Sequence, residues 1–284
     1  MKRFLGIFLL LAQTAAWPAV VATDDTGRAV GLPMPAKRIV SLAPSITELL
    51  YAAGAGSRIV GVVDYSDYPR EALKIPRVGG AGALDIERIV SLKPDLVVAW
   101  KSGNPSGQID KLKSLGLPVF FAEPRRLQDI AADIESLGGL AGSQGEALRA
   151  AQAFSNGVAT LGRQYSKKKP VSVFYEVWPG PLMTVSDRHI ISEVLHLCGA
   201  RNVFGKLPML TPTVSTESVI VADPQAIVSS GPEKWLNAWK KWDITATRQG
   251  HLFHIPADLI SRPSPRILEG AKLLCSQIDT ARGK

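Results

Sequence analysis

Two short patterns occur twice in this sequence, in the same order. Thr47-Glu48 followed by Gly54-Ala55 is matched by Ser192-Glu193 followed by Gly199-Ala200, each with a Glu-to-Gly step of six. Glu87 followed by Pro94-Asp95-Leu96-Val97-Val98 is matched by Glu217 followed by Pro224-Gln225-Ala226-Ile227-Val228, each with a Glu-to-Pro step of seven. Units of α/β structure share a grammar, so one coincidence carries little. The common order points to duplication of one unit, and so to two similar lobes. Around each copy, apolar β-rich runs alternate with helix signals. Asp24 to Val30, Arg38 to Leu42, Arg58 to Val62, Leu96 to Ala99, Pro118 to Phe121 and Val173 to Val177 read as strands. Ser45 as an N-cap with Glu48 three residues on, and Asp85 before Ile86, read as helix starts. This alternation predicts an α/β chain of two Rossmann-like lobes, with parallel sheets covered on both faces.

Between the copies, Leu148, Ala151, Phe154, Val158 and Leu161 recur at helical spacing within Ser143 to Ser166. About 24 residues at 1.5 Å rise make a rod of roughly 36 Å, long enough to join two lobes side by side. The expected organisation is a leader over 1–22, an N-terminal lobe over 23–142, a connecting backbone helix over 143–168 and a C-terminal lobe over 169–284. One stiff rod resists large hinge closure. A ligand is expected in the cleft that the carboxyl ends of the strands face.

Lys2 and Arg3 precede an apolar run from Phe4, with small residues at Val20 and Ala22, which reads as an export signal cleaved after about Ala22. Gln13 and Pro18 interrupt the run, which is shorter than the roughly 20 residues a spanning helix needs. No cysteine lies near the cleavage site for a lipid anchor. The expected compartment is the periplasm. There the chain's two cysteines, Cys198 and Cys275, are either a disulfide or two separate buried thiols. The net charge of +8 invites a nucleic-acid reading. Lysines and arginines are nevertheless scattered, and the one dense run, Lys167 to Lys169, fits a solvated linker, so no nucleic-acid partner is expected.

Catalytic motifs are missing. There is no phosphate loop, no Gly-x-Ser-x-Gly elbow and no dinucleotide fingerprint. His251 and His254 fall in a strand, facing opposite ways, so no metal site is expected. Aromatic residues gather at strand ends instead: Tyr65 in Tyr65-Ser66-Asp67-Tyr68-Pro69, Trp100 after Ala99, and Trp178 after Val177. Each either stacks on a flat ligand or caps the core. Asp258 and Arg262, between the last strand and the last helix, either bind polar ligand edges or pair with each other.

Arg38-Ile-Val-Ser-Leu-Ala-Pro-Ser-Ile-Thr-Glu-Leu49 resembles the opening of the helical-backbone (class III) substrate-binding proteins of ABC importers. Asp64 to Pro69, Glu87 to Val97, Ala99-Trp100 with Gly103-Asn104, Ser264-Pro265-Arg266 and the two cysteines are similar to the cobalamin-binding branch of that family. The resemblance covers residues from about 24 to 280. It implies capture of cobalamin or another corrinoid by a monomer, with no cofactor of its own and no chemistry done. Delivery would be to an inner-membrane ABC permease dimer with its ATPase. It implies ligand contacts at Tyr65, Trp100, Asp258 and Arg262, and permease docking through Glu87 and Glu217, which otherwise read as ordinary helix-start acids. Ala81, Thr211 and Leu259 stand where aromatic residues are expected, and Trp178 is the candidate to compensate. A ferric siderophore or haem is the alternative ligand, with Tyr65 or Tyr68 on iron. A periplasmic enzyme using the same cleft is the alternative of a different class.

Overall fold

The computed structural model describes residues 19–80 and 82–283. The charged and apolar segment expected to be a leader, over 1–18, and Ala81 lie outside the described residues. The N-terminal lobe holds β1 (Val20–Thr23), β2 (Ala29–Leu32), β3 (Ile39–Ser41), α1 (Pro44–Ala52), β4 (Ile59–Val62), β5 (Gly79–Gly80), β6 (Ala83–Leu84), α2 (Ile86–Ser91), β7 (Leu96–Ala99), α3 (Ser106–Ser114), β8 (Val119–Phe121) and α4 (Leu127–Ala141). The connecting helix is α5 (Gln144–Tyr165). The C-terminal lobe holds β9 (Val171–Glu176), β10 (Trp178–Pro179), β11 (Leu182–Met183), α6 (Ile190–Leu197), β12 (Ala200–Asn202), α7 (Thr216–Ala222), β13 (Ala226–Ser229), α8 (Glu233–Asn237), α9 (Thr245–Arg248), β14 (Leu252–His254), α10 (Ala257–Ile260) and α11 (Ile267–Ala281).

Each lobe is built on a four-stranded sheet, in the orders β4-β3-β7-β8 and β12-β9-β13-β14, with every neighbouring pair parallel. Counted within its own lobe, each sheet runs 2-1-3-4. The central strands β7 and β13 are buried along their whole length, as expected when helices cover both faces. The repeat extends to backbone conformation. Gly54 and Gly199, at φ 76° and 68°, end α1 and α6. Lys93 and Asp223, each before a proline, both adopt positive φ, at 46° and 38°. That pairing of unusual conformations is duplication seen in the chain itself.

The helix α5 spans 22 residues, close to the expected rod. Its buried Ala147, Ala151, Phe154 and Leu161 belong to one apolar core that runs from Leu32 in the first lobe to Ala281 in the second. The lobes therefore share a core rather than hang from a linker. Separate apolar clusters fill the far side of each sheet, around Val97 in one lobe and Ile227 in the other. Cys198 at the end of α6 and Cys275 in α11 form a disulfide. Lys168 donates to Asp279 at 2.8 Å, which makes the lysine run a clip between α5 and α11.

Two local expectations are corrected. Asp24 to Arg28 is a turn, not a strand: the Asp24 carboxylate accepts from Thr26 N, Thr26 Oγ1 and Arg28 N, and Gly27 takes φ 81°. The strand precedes it, with Val20 to Thr23 paired to Leu32 to Ala29. Ser45 is not an N-cap, because α1 begins at Pro44 after an extended Ala43 and has no side-chain cap. Glu48 is thereby free to face elsewhere.

Candidate functional site

The carboxyl end of β3 delivers α1 to the junction of the lobes. There Glu48, only 3% exposed, accepts from groups more than 200 residues away in sequence. Ser264 Oγ donates to Glu48 Oε2, while Arg262 Nη1 and Arg266 Nη1 donate to Oε1 at 3.0 and 3.4 Å. Arg262 Nη1 also reaches Asp67 Oδ1 at 2.7 Å, and its Nη2 reaches the Tyr65 carbonyl at 3.2 Å. Arg266 Nη2 donates to Asp258 Oδ2 at 2.7 Å, and its guanidinium lies 4.1 Å from the centre of the Tyr68 ring. The two arginines thus cross the interlobe junction and knit the loop after β4 to the segment before α11.

The electrostatics follow from burial. Desolvation pushes the Glu48 carboxyl above its ordinary range, opposed by Ser264, Arg262 and Arg266. The hydrogen bond from Arg262 holds the more exposed Asp67 below its ordinary range. Tyr65 sits at φ 62°, a conformation that costs a bulky residue on the order of 1 kcal/mol. The strain is held by Arg262 on the Tyr65 carbonyl and by Arg77, which donates to the Val63 and Ser66 carbonyls. The result is a tyrosine ring that is 80% exposed.

Trp100 follows β7 directly. Its backbone N–H donates to Asn104 Oδ1 at 2.7 Å, and Asn104 Nδ2 donates to the Leu42 carbonyl, so a buried amide fixes this loop to the end of β3. The indole lies against Gly103, where a Cβ would come within 1.9 Å of the ring. Trp178, 51% exposed, opens the β10–β11 hairpin, and its Nε1 donates to the Gly180 carbonyl at 2.9 Å. Trp178 meets Trp235 edge to face at 5.2 Å.

The structure brings Tyr65, Asp258 and Arg262 into one network, but Asp258 and Arg262 each pair with other groups rather than with each other. Trp100 and Trp178 take no part in that network. Glu48, Asp67, Ser264 and Arg266 complete it; all four lie in segments that carry the family resemblance, but none is singled out as a site residue. The alternation Arg262-x-Ser264-x-Arg266 is a local signal for the last two of them. Glu87 and Glu217 are exposed in the first turns of the matching helices α2 and α7, which Asp85 and Ser215 cap. Bonds from its own backbone N–H and from Ser215 lower the Glu217 pKa. Among the described residues, no group of three or more His, Cys, Asp or Glu side chains is placed to hold a metal ion, and no helix is long and apolar enough to cross a membrane.

Residues 39–259 match the model of a family described as periplasmic binding protein. The chain belongs to that family. This periplasmic binding protein is 36% identical over 255 residues to the vitamin B12-binding protein of Vibrio cholerae serotype O1, covering 88% of this chain and 92% of the relative. It is 38% identical over 247 residues to the vitamin B12-binding protein of Yersinia pestis, covering 86% of each. Its fold superposes on the crystal structure of the periplasmic vitamin B12-binding protein BtuF of Vibrio cholerae with a TM-score of 0.81, over 88% of this chain and 99% of that one, at 36% identity. Family membership accounts for the paired sheets and the single rod between them.

Proposed function

We propose that this periplasmic binding protein captures cobalamin or a related corrinoid between its lobes and hands it, chemically unchanged, to an inner-membrane ABC permease dimer with its ATPase. The observation that carries the reading is the 36–38% identity, across nearly the whole folded chain, to relatives named for vitamin B12. The chemistry of the junction suits it. A corrin is a flat apolar ring rimmed with amides. Tyr65, Trp100 and Trp178 offer stacking faces, while Asp258 accepts from amide N–H groups and Arg262 donates to amide carbonyls. The Arg262 guanidinium and the Tyr65 backbone are held in place before any ligand arrives, so little of their freedom remains to be lost on binding.

Residues 1–22 serve as the export signal in this reading, with the mature chain monomeric in the periplasm. Glu87 and Glu217, one on each repeat, engage the two halves of the permease. The Glu217 carboxyl, held down by its local hydrogen bonds, stays ionised for that contact. Calorimetric titration of the exported protein with cyanocobalamin tests the ligand. Tight one-to-one binding is expected, and absence of binding would return the search to ferric siderophores and haem. Glu87→Arg with Glu217→Arg is expected to abolish uptake while leaving the calorimetric affinity unchanged. Uptake that survives the double reversal excludes docking through these residues.

A further inference from the structure

The carboxyl end of the C-terminal sheet carries more tryptophan than the junction network uses. A cavity of about 130 Å³ opens there, lined among others by Glu176, Leu182, Trp235, Trp239, Lys241 and Trp242. Its wall is continuous with Trp178 through the edge-to-face contact with Trp235. Glu176, at the end of β9 and 1% exposed, accepts from Trp239 Nε1 at 2.8 Å and so sets that indole in the wall. Trp235 lies against Gly231, where a Cβ would come within 1.9 Å of the ring. Trp100 rests on Gly103 in the same way in the other lobe, and both glycines lie in the loop after the third strand of their sheet. Each lobe therefore carries an indole-on-glycine platform, at positions that are not equivalent in the repeat. At the rim, the exposed Lys241 holds its ammonium 5.2 Å from the centre of the Trp242 ring.

This volume is well below that of a whole-ligand site, which runs to several hundred Å³. It suits one bicyclic aromatic ring and excludes a corrin or a porphyrin. Aromatic walls with one cation at the mouth select a planar base joined to an anionic group. We propose that this cavity is a subsite for an aromatic base tethered to a phosphate. Resting on the corrinoid reading above, it takes the benzimidazole nucleotide that hangs below the ring of cobalamin. Trp235 supplies the stacking face and Lys241 meets the phosphodiester.

Cobinamide, the corrin without its nucleotide, separates this subsite from the main site. Titrations of cyanocobalamin and of cobinamide are compared for wild type, Trp235→Ala and Lys241→Gln. Trp235→Ala is expected to weaken cyanocobalamin about tenfold, the scale of a lost aromatic contact with its buried area, and to leave cobinamide unchanged. Lys241→Gln, on the surface and outside the core, is expected to weaken cyanocobalamin about threefold at low salt and less at high salt, again sparing cobinamide. Equal losses for both corrinoids, or no loss for either, would overturn the subsite. Wild-type protein that binds neither corrinoid would overturn the corrinoid reading itself.

Discussion

Glu48 shows how much one side chain can depend on distant partners. Two guanidiniums and a hydroxyl from the other lobe converge on its buried carboxylate, and removing its charge leaves Arg262 with Asp67 alone and Arg266 with Asp258 alone, without the buried acid that joins them. Glu48→Gln is expected to cost about 3 kcal/mol of stability, the usual scale for breaking a buried pair, and to weaken ligand binding by loosening Arg262. Urea denaturation and calorimetry read the two effects, and an unchanged midpoint would refute the clasp. Asp133, 3% exposed in α4, is a second residue out of the ordinary. Burial, reinforced by the charge of Asp25, raises its pKa from 3.8 to about 9. The folded chain thus keeps a proton that the unfolded chain releases above its ordinary pKa. The stability this contributes is complete below about pH 4 and is lost as pH rises towards 9. Asp133→Asn is expected to raise Tm at pH 8 by roughly 5 °C and to flatten the decline between pH 5 and 8. Parallel pH profiles of mutant and wild type would contradict that assignment. Neither residue stands out in sequence, where Glu48 reads as a capping acid and Asp133 falls in no motif.

Elements were far more legible. The buried strands, the caps at Asp85 and Ser215 and the rod of α5 follow from short-range patterns, because periodicity and capping act within a turn or two of chain. The misread element was β1. Its polar continuation, Asp24 to Arg28, looked strand-like, but the side chain of Asp24 satisfies the backbone of its own turn. The disulfide belongs to this scale, since it ties α6 to α11 across a separation of 77 residues. The chain-entropy account values such a link at roughly 4 kcal/mol. Cys198→Ala with Cys275→Ala is expected to lower the urea midpoint accordingly while sparing ligand affinity, since neither cysteine reaches the junction network. A double mutant as stable as the oxidised wild type would remove the bond from the stability account.

At the scale of the molecule, three ties act against hinge motion. The core is shared across α5, Glu48 is clasped from the second lobe, and Glu193, its counterpart in the repeat, accepts from Leu127 N at 2.7 Å back in the first lobe. Small-angle scattering with and without cyanocobalamin is therefore expected to give the same radius of gyration. A contraction on binding would mean that these ties open. The sequence by itself determined the two α/β lobes, the order of their units and the helix between them, because each depends on patterns a few residues long and on a repeat visible in the letters. Tertiary structure alone decided which side chains meet. Arg262 reaches Glu48 and Asp67, Asp258 takes Arg266, and Trp235 takes its place beside Trp178. Apart from Asp258 and Arg266, eight positions apart, such pairings join residues dozens to hundreds of positions apart. No periodicity encodes them, and they exist only once both sheets have packed on the common core.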